Sequence, residues 1–368
     1  MGKLIYLTNI QAPAGDAQSI QVQAMAQSFG NILGDNFIFV SPKNKLNEKL
    51  SSDFRWIKLK TGGKISRNLR YFLVTLKSLS IILKEKPDII FSRDIGVVFI
   101  YRLLGIETCY EIHKPFETKM GKFFFKLIAQ KIKIVSISDN LKNYIIEKYN
   151  LERENILVAH DGVFLKDFEK IKLTKKELKK KYLGLEEKDF VVLYSGSLQR
   201  GKGIDLILDT AYLLEKVFFV IIGGKENEIE QLKKRKFKNI IFLGRKPHQD
   251  IPYYLKSADL LILPSNKKLS YWQYTSPLKL FEYMASGNPI LASEIGSIKE
   301  ILNGNNAFFF NPEDINNLVN KIKFIEKNYG KAETKAEKSL EDIKNYTWQK
   351  RVKKITKFLF NKKNIYET

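Results

Sequence analysis

Residues Ser276-Pro277-Leu278-Lys279-Leu280-Phe281-Glu282-Tyr283-Met284-Ala285-Ser286-Gly287-Asn288-Pro289 carry their own start and stop signals. Ser276 is a preferred N-cap, and Pro277 suits the first helical position, where a missing N–H costs nothing. Gly287 fits the left-handed position after a helix, and Pro289 forbids continuation. The spacing predicts a short helix of about two to three turns, followed by a buried strand at Ile290 to Ser293. Its first turn leaves the N–H groups of Leu278, Lys279 and Leu280 without helical partners, a ready anion site. Glu282 follows about one and a half turns on, within reach of a group attached to that anion. An anion with a hydroxylated appendage describes a nucleoside diphosphate; an ordinary capped helix is the plainer reading of the same residues.

Outward from this helix the chain alternates strands and helices twice. Leu4 to Leu7 reads as a strand, followed by a loop containing Gly15, a helix from Ser19 to Phe29 and a strand from Asn36 to Val40. That is the opening of a doubly wound sheet, with the loop at the carboxyl end of its first strand, where such folds bind ligands. Leu69 to Lys84 is a long apolar helix returning to a strand near Ile89. Thr108 to Ile112 is a strand that delivers His113 at its end, and Ile134 to Ile137 and Ile156 to Ala159 follow. The lysine-rich run Lys175 to Lys181 reads as a solvated helix face near a domain boundary. The alternation then restarts with strands at Phe190 to Tyr194, Phe218 to Ile222, Ile240 to Leu243 and Leu260 to Leu263. The expected division is a first Rossmann-like domain over 1–165, a linker over 166–188 and a second Rossmann-like domain over 189–347. A basic amphipathic helix, about 348–368, is expected to return to the first domain.

The segment Gly196-Ser197-Leu198-Gln199-Arg200-Gly201-Lys202-Gly203 lies one residue from a P-loop. Gly196, Gly201 and Lys202 satisfy the pattern, but Gly203 stands where Ser or Thr must hold magnesium, and Asp259 precedes its strand instead of ending one. An NTPase lacks its metal ligands here. A phosphate-facing loop with Lys202 as a cationic clamp survives that objection.

Composition sets further bounds. A chain of 368 residues that is 44% hydrophobic suits two soluble domains. Single Cys109 leaves no internal disulfide to form and suits a reducing cytoplasm. The N-terminal apolar stretch is too short for a signal peptide, and no apolar run approaches the roughly 18–20 residues of a membrane span. The formal charge of +23 invites nucleic acid or an anionic membrane as a partner. No helix-turn-helix, zinc-ligand spacing or RNP-like strand accompanies it, and the charge is scattered, which argues against nucleic acid. The helix Met120 to Lys131, the Lys175 to Lys181 run and the tail from Trp348 to Lys363 are candidate faces for anionic lipid, against solvated faces of a lysine-rich chain.

Taken in order, these motifs resemble the family 4 glycosyltransferases, retaining enzymes of the GT-B fold, whose two Rossmann-like α/β domains face a central cleft. Gly196-Ser197 with Lys202-Gly203 is similar to that family's phosphate loop, and Ile222-Gly223-Gly224 to its glycine pair. Ser257-Ala258-Asp259-Leu260 with Leu263-Pro264-Ser265 resembles its Ala-Asp…Pro-Ser strand. Phe281 to Pro289 resembles its Glu-Ala-Met-Ala-x-Gly-x-Pro signature. In the first half, Tyr110-Glu111-Ile112-His113 resembles the strand bearing the active-site histidine, and His160-Asp161-Gly162-Val163 the Asn-Gly-Val turn. The resemblance implies that Lys202 and the backbone N–H groups of Leu278 and Lys279 bind a donor diphosphate, with Gly196 and Gly223 shaping the loop. It implies that Glu282 accepts the ribose hydroxyls, His113 contacts the transferred sugar, and Gly15 lets backbone approach diphosphate or acceptor.

Two departures stand out. Tyr274 occupies the position of the family's first carboxylate, just before the Ser276 cap, so the sugar contacts differ. Ser197 stands where the family has an arginine, and Arg200 is the nearest replacement in sequence. The expected reaction is transfer of a sugar from a nucleotide-diphosphate donor to a saccharide or lipid-linked saccharide acceptor in cell-surface polysaccharide or glycoconjugate synthesis. Retention at the anomeric carbon is implied, with no metal or other cofactor, because fixed positive charge stabilises the leaving diphosphate. The expected location is the cytoplasm, peripheral at the inner membrane face. A nucleotide-sugar epimerase of the same fold is the alternative enzyme, and a basic nucleic-acid-binding protein the alternative of a different class.

Overall fold

The computed structural model describes residues 2–12, 15–43, 54–61, 67–199, 201–265 and 272–361. The chain forms two compact units, Met1–Asp161 with Trp348–Thr368, and Gly162–Thr347.

The first unit holds a parallel sheet of β1 (Leu4–Leu7), β2 (Phe37–Pro42), β3 (Arg55–Leu59), β4 (Ile89–Ser92), β5 (Thr108–Ile112), β6 (Lys133–Ser136) and β7 (Ile156–Val158). The order β3-β2-β1-β4-β5-β6-β7 is doubly wound about β1 and β4. Side-chain alternation sorts the strands onto two faces. On one, Tyr6 meets Phe29, Phe39 and Phe91 at ring-centroid distances of 6.2, 5.5 and 5.3 Å. On the other, Ile5, Leu7, Ile38, Val40 and Ile90 pack with Val74, Ile82, Val97 and Tyr101. The helix Ala17–Leu33 starts at Asp16, whose carboxylate accepts from the Ser19 N–H.

The C-terminal helix Trp348–Phe360 belongs to this unit and buries Val352, Ile355 and Leu359. Lys133 Nζ donates to its last carbonyls, Phe358 O at 2.9 Å and Leu359 O at 2.8 Å. That cation sits where the helix dipole favours one. The apolar face expected to meet lipid is therefore core, and only the lysine side of this helix faces solvent.

The second unit holds a parallel sheet of β8 (Val191–Ser195), β9 (Phe218–Ile222), β10 (Ile240–Gly244), β11 (Leu260–Leu263), β12 (Ile290–Ser293) and β13 (Phe308–Phe310), ordered β10-β9-β8-β11-β12-β13. Winding reverses between β8 and β11, which places the switch point where ligands bind in open α/β sheets. Residues 166–188, expected as a linker, are part of this unit. Thr174 and Glu177 form a capping box, and the helical run that follows buries Lys179. Lys179 lies 2.7 Å from Asp259 Oδ2 and donates to the carbonyls of Glu187 and Asp189. Asp259 in turn accepts from the Val191 N–H at 2.8 Å. The lysine run is thus partly a buried clamp on β8 and not a purely solvated face, and Asp259 is structural.

Candidate functional site

In the second unit the glycines of three strand ends fit into one another. Gly196, directly after β8, donates to Ile222 O at 2.8 Å, and Gly223, directly after β9, donates to Gly244 O at 2.8 Å. Gly196 and Gly223 have φ of 153° and 118°. A Cβ on Gly223 would lie 2.0 Å from the carbonyl oxygen of Gly196, a clash with backbone that only glycine avoids. On the other side of the switch point, a Cβ on Gly203 would lie 2.5 Å from Pro264 Cβ, after β11. The loop from Gly196 to Gly203 is therefore pinned to β9 at one end and to β11 at the other.

The helix Leu278–Ser286 is fastened to the same loop. Tyr283 Oη accepts from the Ser195 N–H at 2.9 Å, and Tyr194 Oη donates to Ser197 O at 2.8 Å. The helix starts one residue later than the sequence suggests. Pro277 is extended, with φ −75° and ψ 124°, and occupies the N-cap position without a side-chain cap. Ser276 Oγ is buried and has no hydrogen-bond partner among the described residues, so it is not the cap. The Leu280 N–H closes a tight turn onto Pro277 O at 2.9 Å, which leaves Leu278 and Lys279 as the N–H groups free for an anion.

Three charged side chains meet at this corner. Lys279 Nζ lies 3.9 Å from the centre of the Tyr194 ring, a cation–π geometry, and would be 3.2 Å from a Cβ on Gly196. Burial lowers the Lys202 pKa from its ordinary value. Burial, and then the charge of Lys202, push Lys279 down to about 7, with Glu282 opposing. Glu282, 15% exposed at its side chain, has Oε1 at 2.7 Å from His248 Nε2. Burial works against the charged His248, yet the hydrogen bond and charge of Glu282 outweigh it and raise the histidine's pKa. A histidine with a raised pKa is paired fully below its ordinary value near 6.5 and loses the pairing as pH rises.

Gly196, Lys202, Gly223, Lys279 and Glu282 thus share one corner of the second unit. Ser197 is exposed beside them, its Oγ accepting from the Gln199 N–H, and adds no charge. Arg200 lies outside the described residues. Tyr274 ends a short 3-10 turn, Trp272–Tyr274, leading into the helix. His248 and the Lys279 ammonium went unread in the sequence, where nothing marks a lone histidine after β10 or the side chain of a lysine in the first turn of a helix.

Gly15 and His113 belong to the first unit. Gly15 has φ 70° and open space around its Cβ direction, so it serves the turn into Asp16 and the helix beyond. His113 directly follows β5, with its side chain 19% exposed and Nε2 3.1 Å from Glu111 Oε2. Burial and the charge of Arg93 lower its pKa against the pull of Glu111, which favours the neutral imidazole. Beneath it lies a polar network that the sequence did not announce. Glu111 is fully buried and receives Gln21 Nε2 at 3.2 and 3.3 Å and the Arg351 guanidinium of the C-terminal helix. Arg351 also donates to Ala159 O and lies 3.4 Å from Asp161 Oδ1, and Arg93 donates to Gln21 Oε1 at 2.7 Å.

Known proteins share this architecture. The family described as Glycosyl transferases group 1 matches residues 175–363, just over half of the chain. An uncharacterized glycosyltransferase of Methanocaldococcus jannaschii is 26% identical over 242 residues, 64% of this chain and 62% of its own. The chain therefore spans somewhat less than two thirds of that relative. The capsular polysaccharide biosynthesis glycosyltransferase CapM of Staphylococcus aureus is 25% identical over 282 residues, 67% of this chain and 70% of its own. Among solved structures, HepE of Anabaena in complex with UDP-glucose superposes with a TM-score of 0.77 at 17% identity, covering 98% of this chain and 99% of that one.

Proposed function

Since the chain belongs to the glycosyl transferases group 1 family and has the α/β architecture of the GT-B fold, we propose that it transfers a sugar from a nucleotide-diphosphate donor to a saccharide or lipid-linked saccharide acceptor in polysaccharide or glycoconjugate synthesis. One observation carries this reading: the glycine-locked corner of the second unit joins Lys202, two free helix N–H groups and Glu282. The N–H groups of Leu278 and Lys279 and the Lys202 ammonium suit a diphosphate, and the second oxygen of Glu282 suits ribose hydroxyls while His248 holds the first. UDP-glucose bound to the structurally similar HepE supports a nucleotide-sugar donor. Fixed positive charge at the leaving diphosphate stabilises the transition state without a metal. Retention is the stereochemistry implied by the sequence resemblance. Isothermal titration against UDP-, GDP- and ADP-sugars is expected to give binding to one of them, and turnover is expected to persist in EDTA. Loss of turnover in EDTA with recovery on adding Mg²⁺ would overturn the metal-independent mechanism.

The same reading includes work at an anionic membrane surface. None of the helices among the described residues is long and apolar enough to cross a membrane. The helix Lys119–Ile128 instead exposes Met120, Phe123 and Leu127 between Lys119, Lys122 and Lys126. Its Phe124 stacks on Phe99 of the helix Ile95–Leu103 at 4.4 Å, and that helix exposes Ile100 and Leu103. Apolar side chains interleaved with lysines suit the interface of an anionic bilayer. Flotation with vesicles containing phosphatidylglycerol is expected to carry the protein, and pure phosphatidylcholine vesicles to leave it behind. Equal recovery with both would sink the membrane reading.

A further inference from the structure

Resting on the nucleotide-donor reading above, we propose that the Lys279 side chain is the second cation of the diphosphate site, contacting the phosphates beside Lys202. The corner holds two lysines whose charges repel, and neither makes an ion pair among the described residues. The acid whose charge reaches Lys279 is Glu282, and Glu282 is engaged by His248 at 2.7 Å. The Tyr194 ring, 3.9 Å from Lys279 Nζ, holds the ammonium over Gly196 without neutralising it. Two half-buried lysines without a counter-ion form a site whose charge a ligand anion would neutralise.

Position agrees with charge. Lys279 also lends one of the two free helix N–H groups, while its ammonium sits beside Gly196. Ser197, exposed and neutral, brings no charge to the loop. Lys279 therefore brings a second positive charge to the Gly196 end of the glycine loop.

The electrostatics add a linkage that can be measured. Burial and the Lys202 charge hold Lys279 near 7, so close to neutrality much of it is uncharged in the ligand-free protein. A diphosphate favours the ammonium, so binding draws a proton from solvent. The sign for folding follows. A lysine whose folded pKa lies below its ordinary value of about 10.4 disfavours the fold increasingly as pH falls toward 7. Removing that charge is expected to leave the ligand-free protein at least as stable as before.

The test compares the full-length protein with Lys279→Met and Lys279→Arg. UDP and inorganic pyrophosphate are titrated calorimetrically near about pH 7.5 in buffers of different ionisation enthalpy. The expected result is proton uptake by the parent on binding, and a loss of about 10- to 100-fold in affinity for both probes in Lys279→Met. Lys279→Arg is expected to bind without the proton uptake, since guanidinium is always charged. The melting temperature of ligand-free Lys279→Met is expected to equal or exceed the parent's, which separates lost binding from lost folding. A folded Lys279→Met that binds UDP and pyrophosphate as the parent does overturns the assignment and leaves the nucleotide-donor reading standing. A parent protein that binds neither UDP, GDP, ADP nor pyrophosphate overturns both.

Discussion

Arg351→Met is expected to destabilise the first unit by about 3–5 kcal/mol, the cost of leaving a buried charge without its partner. Glu111 is fully buried, and among the described residues Arg351 is the guanidinium that pairs with it. The same guanidinium serves Ala159 O and Asp161, so a methionine of similar length fills the space and abandons three acceptors. Burial raises the Glu111 pKa, but His113, which takes up a proton in the acid range where a carboxyl titrates, and Arg351 overcome it and hold the carboxyl well below its usual range. A carboxylate depressed in this way contributes stability above its ordinary pKa of about 4.3, and that contribution is lost as pH falls below it. The deficit of the variant is therefore expected to be full at neutral pH and to shrink toward acid, where Glu111 takes up a proton. Urea denaturation at neutral pH and below about pH 4 measures this, with hydrogen exchange in Trp348–Phe360 locating the change. An unchanged midpoint at neutral pH would show that the network carries no stability. Arg351→Lys is expected to recover only part of the loss, because a point charge cannot serve acceptors fanned around a planar fork.

The Arg351 network also marks where sequence reading stops. Most strands of both sheets announced themselves as short apolar runs between turn residues, since a parallel sheet is buried on both faces, although the last edge strand, Phe308–Phe310, went unread. β3 did not, because an edge strand such as Arg55–Leu59 carries charges at Arg55 and Lys58 and exposes both. The helix Ile95–Leu103 was also missed. Its run of Val97, Val98, Phe99 and Ile100 reads as a strand by local propensity, and packing of Val97 and Tyr101 onto the sheet overrides that. The glycine positions of the second unit were legible because φ and close approach single out one residue type. The start of the Leu278–Ser286 helix was misplaced by one residue, since Ser-Pro suits either a cap or an extended approach, and only tertiary fastening decides. His248 and Glu282 are 34 positions apart, Arg351 and Glu111 240. Such pairs come together only through the strand order, which local pattern does not contain.

Lys202→Ala is expected to lower kcat by about 100- to 1,000-fold, the range found when a fixed charge or donor at a developing anion is removed. The reasoning runs through what changes during the reaction. Before bond cleavage the diphosphate already carries charge, and on the proposed reading the N–H groups of Leu278 and Lys279 would bind it whether or not Lys202 is present. As the bond to the sugar breaks, further negative charge collects on the departing phosphate oxygen. An ammonium on the loop between Gly196 and Gly203 then gains more interaction than it had in the ground state. The loss is therefore expected chiefly in kcat, with a smaller rise in KM. Lys202 is half-buried, and burial lowers its pKa, so its charge opposes folding. Alanine at this position is expected to leave the melting temperature unchanged or slightly raised, which distinguishes lost catalysis from lost structure. Lys202→Arg supplies the remaining discrimination: a retained charge at the wrong reach is expected to restore donor binding more than turnover. Steady-state kinetics with the donor identified by titration measures both constants, and an alanine variant with unaltered kcat would remove Lys202 from the reaction altogether.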